Sequence, residues 1–563
     1  MTTQSSNPDS NQNAQSARKS PKIMIIGGLS AGPSAAAKAR REDEFAEIIL
    51  FEKSQYISYA TCGIPYAMSG VIESREKLLV VRPELMKERF QIDLRLNEEI
   101  IEVNTTEKWV KSHLGTYSYD KLIFAAGATP IVPPLEGLKE TLNWSGIRTL
   151  EDYDRVQANG LLKKAKKVTI LGAGLIGVEL AENLVECGYE VTIVEGAPTV
   201  LPIFDDEFGT LAAKTLQKHN IQVYTGQFAK SIQISDQKIT SIQVGDTTIE
   251  TDFLFVSIGV RPNTQLLKGQ VDMIGNGAII VNSSMQTSIP DVFAAGDCVS
   301  IANLQTQEPA YLPLGTHSNK GGRTAGANAV LGQNAQTGEF SQSFAGAYGT
   351  AIIKIFDFTL ARTGMNERTL KQKNIEYAVS FIYAGATPGY YPGAKENTIK
   401  LLYCPKTGRV LGAELWGEVG IDKRVDVIST SIYAKLTIHD LTQLDLAYAP
   451  PYSPAKDPVI VAAFNAQNQF KDILNAHLDI DKSAQLLDVR TEAEVKNGTL
   501  DNAQWIPLDN LRNRLSELDK SKPIQVYCQK GLRGYLANRI LKAHGFTVSN
   551  LQGGYQKQIN SQK

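Results

Sequence analysis

Val168-Thr169-Ile170-Leu171-Gly172-Ala173-Gly174-Leu175-Ile176-Gly177 decides the architecture of this chain. Four apolar residues of buried-strand type run into a turn with glycines at the first, third and sixth positions. An apolar stretch through Ala181-Glu182 continues as a helix, and Tyr189-Glu190-Val191-Thr192-Ile193-Val194-Glu195 is the next strand. Gly172 permits a tight turn, Gly174 lets backbone approach a pyrophosphate, and Gly177 lets helix pack on strand. The helix N-terminus offers free N–H groups to phosphate. Glu195 at the strand end would accept from a ribose 2′-OH and repel a 2′-phosphate, which favours NADH over NADPH.

The same pattern occurs earlier. Lys22-Ile23-Met24-Ile25-Ile26 leads to Gly27-Gly28-Leu29-Ser30-Ala31-Gly32, an alanine-rich helix over residues 33–41, and the strand Glu47-Ile48-Ile49-Leu50-Phe51-Glu52. Leu29 replaces the middle glycine, but the strand–turn–helix–strand context marks a second dinucleotide site. Glu52, about 20 residues past the turn, is placed for ribose hydroxyls, with Lys53 beside it.

At 563 residues, the chain exceeds one core and predicts roughly three to five domains. A 42% hydrophobic, 21% charged composition with net charge −1 is that of a soluble globular protein, with no field favouring nucleic acid or anionic membrane. Residues 1–20, rich in Ser, Asn and Gln, read as a disordered tail and not as a signal peptide. No apolar run reaches the ~20 residues of a membrane helix. Five cysteines without a CxxC pair indicate a reducing, cytoplasmic setting and no metal site. Cys187, beside Gly188 at a helix end, reads as a buried packing thiol.

Three further segments extend the two-site plan: residues 120–130 with Gly127, residues 255–263 with Gly259, and residues 291–298 with Asp297. Together, over residues 21 to about 465, they resemble the pyridine nucleotide–disulfide oxidoreductases. The resemblance implies FAD at Gly27, Gly28, Gly32, Glu52, Lys53, Gly127 and Asp297. It implies NADH at Gly172, Gly174, Gly177, Glu195 and Gly259.

Ser58-Tyr59-Ala60-Thr61-Cys62-Gly63-Ile64-Pro65-Tyr66 resembles the active-site segment of the single-cysteine branch of that family, with Thr61 where an asparagine is common. A lone thiol cannot store two electrons as an internal disulfide, so it must form a mixed disulfide, a persulfide or a sulfenic acid. Residues 387–394 and 447–458 resemble the dimerisation domain of coenzyme A-disulfide reductases. The resemblance implies a homodimer in which Tyr390 and Tyr448 reach the other subunit's cysteine, with Tyr391 and Tyr452 as second matches. It also implies coenzyme A contacts at Ser34, Lys38, Arg41, Ser58, Thr61, His317 and Lys456.

A separate unit follows. Leu487-Asp488-Val489-Arg490 ends one strand; Ile524-Gln525-Val526-Tyr527 is another, running into Cys528-Gln529-Lys530-Gly531-Leu532-Arg533 and a helix over residues 535–544. Loop N–H groups turned inward at a helix N-terminus form an anion cradle, and Lys530 and Arg533 are expected to add positive charge. This unit resembles a single-domain rhodanese, with Cys528 as the sulfur carrier and residues 529–533 as its active loop. Where such domains carry Gly-His before a Gly-Ala-x-Asn-Ile-Pro segment, this chain reads Asn497-Gly498-Thr499-Leu500-Asp501-Asn502-Ala503-Gln504-Trp505-Ile506-Pro507.

The predicted fold is α/β: two Rossmann-like domains, an α+β dimerisation domain and an α/β rhodanese domain. Its segments are a tail (1–20), an FAD-binding domain (21–145 and 263–337), an NAD-binding domain (146–262), a dimerisation domain (338–465) and a rhodanese domain (472–563). The whole resembles fusions of coenzyme A-disulfide reductase with rhodanese, also described as NADH-dependent persulfide reductases. That implies electrons passing from NADH through FAD to Cys62, with coenzyme A persulfide, coenzyme A disulfide or polysulfide as acceptor and small thiols and persulfides as partners. Two alternatives remain open: an NADH oxidase or peroxidase cycling Cys62 through sulfenic acid, and a sulfur-carrier or redox sensor.

Overall fold

The computed structural model describes residues 20–561, so nearly all of the tail expected over residues 1–20 lies outside the described residues. The chain divides into two compact units: residues up to 131 with 148–153 and 259–347, and residues 132–147 with 154–258 and 348 onward.

The first unit is built on a five-stranded parallel sheet. Its order is Val292–Ala294, Lys121–Phe124, Lys22–Ile26, Glu47–Glu52, Asp93–Leu96. The central strands are buried on both faces, packed by helices Ala31–Glu42 and Gly315–Leu331 and sharing a core with the antiparallel strands Ile100–Asn104 and Trp109–Ser112, which is why they read as continuous runs. Helix Ala31–Glu42 crosses helix Gly315–Leu331 at very short range. A Cβ at Gly322 would lie 2.3 Å from the Ala31 carbonyl oxygen, and one at Gly326 2.2 Å from that of Ala35. Glycines four apart thus meet alanines four apart, and only small residues admit this approach.

The second unit holds three sheets that position the chemistry. One is parallel, in the order Gln222–Thr225, Glu190–Glu195, Lys167–Leu171, Phe253–Val256, Trp144–Ser145. The next is antiparallel, in the order Ala351–Ile355, Phe358–Gly364, Val410–Gly417, Glu396–Tyr403, Ala378–Gly385, with helices Ile421–Tyr433 and Pro458–Phe470 on its apolar face. The last is parallel, in the order Ala476–His477, Val548–Leu551, Ile524–Tyr527, Gln485–Asp488, Gln504–Trp505. The α/β class with a mixed dimerisation domain is as expected.

Strand Ala378–Gly385 is an edge, and its free groups would invite pairing. Gln552, from the C-terminal domain, covers it: the side chain accepts from Phe381 N–H at 2.9 Å and donates to the Val379 carbonyl at 3.0 Å. The antiparallel sheet also carries a buried ionic row, Arg362, Glu414 and Lys400, on three adjacent strands. Lys400, 0% exposed, bonds Asp205 at 2.9 Å, Glu207 at 2.6 Å and Glu367 at 2.7 Å. Lys371 also pairs with Glu367 at 2.7 Å, and the Asp205 N–H donates to both Glu414 carboxyl oxygens at 3.0 and 3.1 Å. Burial first, and Asp205 second, push the Glu414 carboxyl up to about 8.

Candidate active site

Both glycine turns are closed where the chain packs on itself. A Cβ at Gly27 (φ +106°) would lie 2.2 Å from the Ala125 carbonyl oxygen, and one at Gly172 (φ +102°) 2.5 Å from that of Ser257. A Cβ at Gly32 or Gly177 would strike the carbonyl oxygen of Gly27 or Gly172, at 1.9 and 2.0 Å. Gly174 has no atom within 4 Å of that position, which leaves an open face for backbone to meet a pyrophosphate. The strand-end acids are built alike. Glu52 accepts from Gly28 N–H at 2.6 Å and Ser54 N–H at 2.8 Å; Glu195 accepts from Ala173 N–H at 2.6 Å and Ala197 N–H at 2.7 Å. Burial raises the Glu52 carboxyl, against those backbone bonds.

Around the first turn, Gly127 has φ +66° and Gly259 φ +107°, and the strands flanking them, Ala128–Pro130 and Val260–Pro262, pair antiparallel. Lys53 is exposed. Asp297 accepts from Arg148 Nη2 at 2.7 Å and from Ser318 Oγ at 3.1 Å. The turns and their acids fit two dinucleotides.

Cys62 is exposed, on the one-turn helix Thr61–Gly63 that leads into Ile64–Met68 with Pro65 in its first turn. Its approach is fixed by Ser58, a non-glycine residue at φ +45°, whose N–H donates to the Gly28 carbonyl at 2.9 Å and whose carbonyl accepts from Val80 N–H at 2.8 Å. The thiol segment is thereby tied to the first glycine turn. The other cysteine of this unit, Cys298, is buried and donates to the Ala295 carbonyl at 3.2 Å; burial pushes it up to about 12.

Of the expected coenzyme A contacts, six lie in the first unit. Ser34 Oγ donates to Asn319 Oδ1 at 2.8 Å across the glycine crossing. Lys38 pairs with Glu42, and burial, then Arg323 and Arg41, lower its ammonium. Arg323 is a member of this basic group that motif reading missed; only the helix crossing brings it to Lys38. His317 Nδ1 lies 3.1 Å from the Leu312 carbonyl oxygen, and burial lowers the imidazole. Thr61 neighbours Cys62, and Ser58 is placed as described above. Lys456, exposed, belongs to the second unit.

In the second unit, Tyr390 and Tyr448 meet, with their hydroxyls 3.4 Å apart. Both are largely exposed, as is Tyr452; Tyr391 is less so. Their loops share a buried anchor that sequence reading did not find. Arg424, 1% exposed, bonds Asp457 through Nε (3.2 Å to each carboxylate oxygen), the Ala386 carbonyl at 3.0 Å and Asn397 Oδ1 at 2.7 Å. Asp457 in turn accepts from Ser453 Oγ at 2.8 Å and caps helix Pro458–Phe470. Removing one partner of such a buried pair costs about 3–5 kcal/mol. Glu179, on the helix after Gly177, was also missed; burial and Glu182 push it up to about 7.

Cys528 follows the central strand of the C-terminal sheet and is 2% exposed. Gly531, at φ +138°, caps helix Leu532–Ala543, and its N–H donates to Cys528 Sγ at 3.0 Å. The helix begins three residues before the expected start because the glycine turn ends there. Gln529 Nε2 donates to Gln556 Oε1 at 3.2 Å. Behind the loop, Arg490 and Asp488 form a buried pair at 2.7 Å, and Tyr527 Oη and Thr499 Oγ1 donate to Asp488 at 2.7 and 3.1 Å. The expected free positive charge is corrected by the structure: Lys530 pairs with Glu396 at 2.6 Å, and Arg533 with Glu494 at 2.6 Å. Cys187 is a second correction. It is exposed, because the helix ends at Glu186 and the chain turns at the surface through Gly188.

The family profile described as pyridine nucleotide-disulphide oxidoreductase matches residues 21–312, more than half of the chain. The chain belongs to this family. It is an NAD(P)H-dependent flavoprotein reductase, with the family's dimerisation domain matched at residues 350–458 and a rhodanese-like domain at residues 470–560. The NAD(P)H coenzyme A polysulfide/persulfide reductase of Pyrococcus horikoshii is 34% identical over 78% of this chain and 97% of its own length. A protein of Methanocaldococcus jannaschii named NADH oxidase is 32% identical over 79% and 98%. Solved structures extend the likeness through the C-terminal domain. The reduced CoADR-RHD of Bacillus anthracis superposes with a TM-score of 0.92 at 37% identity, covering 97% of this chain and 98% of that one. The NAD-dependent persulfide reductase of A. fulgidus gives 0.87 at 34%, covering 95% and 99%. The resemblance to reductase–rhodanese fusions is borne out. Among the described residues, no helix is long and apolar enough to cross a membrane.

Proposed function

We propose that the chain is a cytoplasmic, homodimeric reductase that uses NADH to reduce coenzyme A persulfide, polysulfide or coenzyme A disulfide at Cys62, while Cys528 carries sulfane sulfur. The observation that carries this reading is the exposed Cys62 in a unit whose other thiol, Cys298, is buried and bonded to backbone. A partner sulfur must then come with the substrate. Bound FAD, held at the first glycine turn, would supply the two-electron relay from nicotinamide to thiol.

The protein's own groups do the rest. Cys62 thiolate attacks the carbon-bound sulfur of a coenzyme A persulfide; the S–S bond breaks, hydrosulfide leaves, and a Cys62–coenzyme A mixed disulfide forms. With coenzyme A disulfide, one thiolate leaves instead. Tyr390 and Tyr448 of the partner subunit hold and protonate that leaving group. An exposed aromatic patch of this kind marks an interaction surface, which supports the dimer. Ser34, Lys38, Arg41 and Arg323, with His317, Ser58, Thr61 and Lys456, are assigned to the coenzyme A phosphates and pantetheine. Glu195, held by two backbone N–H groups, would exclude a 2′-phosphate and favour NADH.

The doubly substituted Tyr390→Phe/Tyr448→Phe protein is expected to lose about a hundredfold in kcat with coenzyme A disulfide, the range of a lost general acid. Its acceptor-free reduction by NADH should be unchanged in stopped flow. An unchanged kcat would remove the tyrosines from the reaction.

A further inference from the structure

One of the two carboxylates that neutralise the Cys528 loop comes from outside the rhodanese-like domain. Glu396 opens the strand Glu396–Tyr403, at the end of the loop that carries Tyr390, and its Oε2 lies 2.6 Å from Lys530 Nζ. Arg533 makes two parallel bonds to Glu494, at 2.7 and 2.6 Å. Glu494 is itself fixed by Thr491, whose N–H and Oγ1 donate to it at 2.9 and 2.8 Å. The Arg533 guanidinium, more than any other group, holds the Glu494 carboxyl down to about 2, so it is ionised at any working pH. The nearby Arg490 is buried and paired with Asp488. Both loop cations are therefore matched by carboxylates.

Arg533 also interacts with Cys528, but its charge is matched by Glu494; beyond it, the loop offers an anion its backbone. The Gly531 N–H reaches Cys528 Sγ at 3.0 Å, and helix Leu532–Ala543 adds about half a positive charge at its N-terminus. That suffices for one negative charge on sulfur. The rim of the loop is apolar: Leu532 is 74% exposed, and Leu536 follows one turn later on the same face.

We propose that Glu396 and Glu494 set the donor specificity of Cys528, which takes sulfur from an organic persulfide and discriminates against thiosulfate. This rests on the sulfur-carrier reading of Cys528 given above. Cys528 thiolate attacks the terminal sulfur of RSS⁻. The new S–S bond leaves Cys528 as a persulfide anion, the old bond breaks, and its electron pair departs on RS⁻, with two negative charges before and after. Thiosulfate would bring three negative charges together over a loop without net positive charge. Glu396 is a positioning and charge-setting residue and touches no reacting atom.

The test uses the full-length, FAD-loaded protein without NADH. Persulfide on the Cys528 peptide is timed by alkylation and mass spectrometry, with the persulfide of 2-mercaptoethanol or with thiosulfate as donor. The wild-type chain should load more than about tenfold faster from the persulfide, and Glu396→Gln should shift that ratio about tenfold toward thiosulfate, the scale of one uncompensated charge acting on a dianion. High salt should shrink the shift, and Glu396→Asp should restore the wild-type ratio. Equal loading of the wild type by both donors, or a ratio unmoved in Glu396→Gln, overturns the proposal and leaves the carrier role standing. Failure of both donors to load Cys528 overturns the proposal and the carrier role together.

Discussion

Cys62→Ser is expected to abolish NADH-linked reduction of coenzyme A persulfide and coenzyme A disulfide, lowering kcat by about four orders of magnitude. The reason is chemical rather than structural. Cys62 is exposed on a short turn, so exchanging sulfur for oxygen opens no cavity, and a surface change of this kind shifts stability by about 0.5 kcal/mol or less. A hydroxyl near neutral pH offers almost no nucleophilic anion and cannot form a disulfide. The variant should therefore keep bound FAD and the wild-type melting temperature while losing turnover. Steady-state NADH oxidation and thermal unfolding, measured side by side, check this. Full turnover by the Cys62→Ser variant would remove Cys62 from the reaction, and loss of FAD would make the effect structural.

The second large effect concerns the other thiol. Cys528→Ser is expected to lose all sulfane-sulfur loading at that position while retaining NADH-linked reduction of small persulfides at Cys62. The two thiols lie in different units, and each is held by its own local turn. Serine in place of Cys528 can still accept from the Gly531 N–H, so the loop should keep its shape, but an alkoxide is not available there to take sulfur. Thiocyanate released when cyanide is added after loading with persulfide reads the loss. If Cys528→Ser also stopped reduction of small persulfides, sulfur would have to pass through Cys528 before reaching Cys62, and the independence of the two sites would be wrong.

Much of the dinucleotide and rhodanese architecture was legible because it is written locally. Gly32 and Gly177 are required by approaches of 1.9 and 2.0 Å to the Gly27 and Gly172 carbonyl oxygens within single strand–turn–helix units, and such units announce themselves in about 30 residues. The loop at Cys528 was legible for the same reason. What was not legible depends on residues far apart in sequence. Arg424 joins the Tyr390 and Tyr448 loops through Ala386 and Asp457, and Gln552 covers an edge strand more than 150 residues away. Nothing in the Cys528 loop itself reveals that Glu396 neutralises Lys530. Cys187 was misread because free cysteines are usually buried, whereas the helix ends at Glu186 and the chain turns at the surface there.

The arrangement also separates the main reading from its nearest rival. An oxidase or peroxidase needs Cys62 only as a sulfenic acid and has no use for a C-terminal domain whose Gln552 and Lys530 are bonded into the dimerisation sheet and its loop. The sensor alternative gains nothing from paired tyrosines.

The most direct test is steady-state oxidation of NADH and NADPH by the wild-type chain, run anaerobically with coenzyme A persulfide, coenzyme A disulfide and polysulfide each supplied as acceptor, beside matched reactions given only oxygen or hydrogen peroxide. Rapid NADH oxidation with the sulfur acceptors, slower oxidation of NADPH, and only slow consumption of oxygen or peroxide are predicted. Oxygen or peroxide turnover that matches or exceeds every sulfur acceptor would contradict the account.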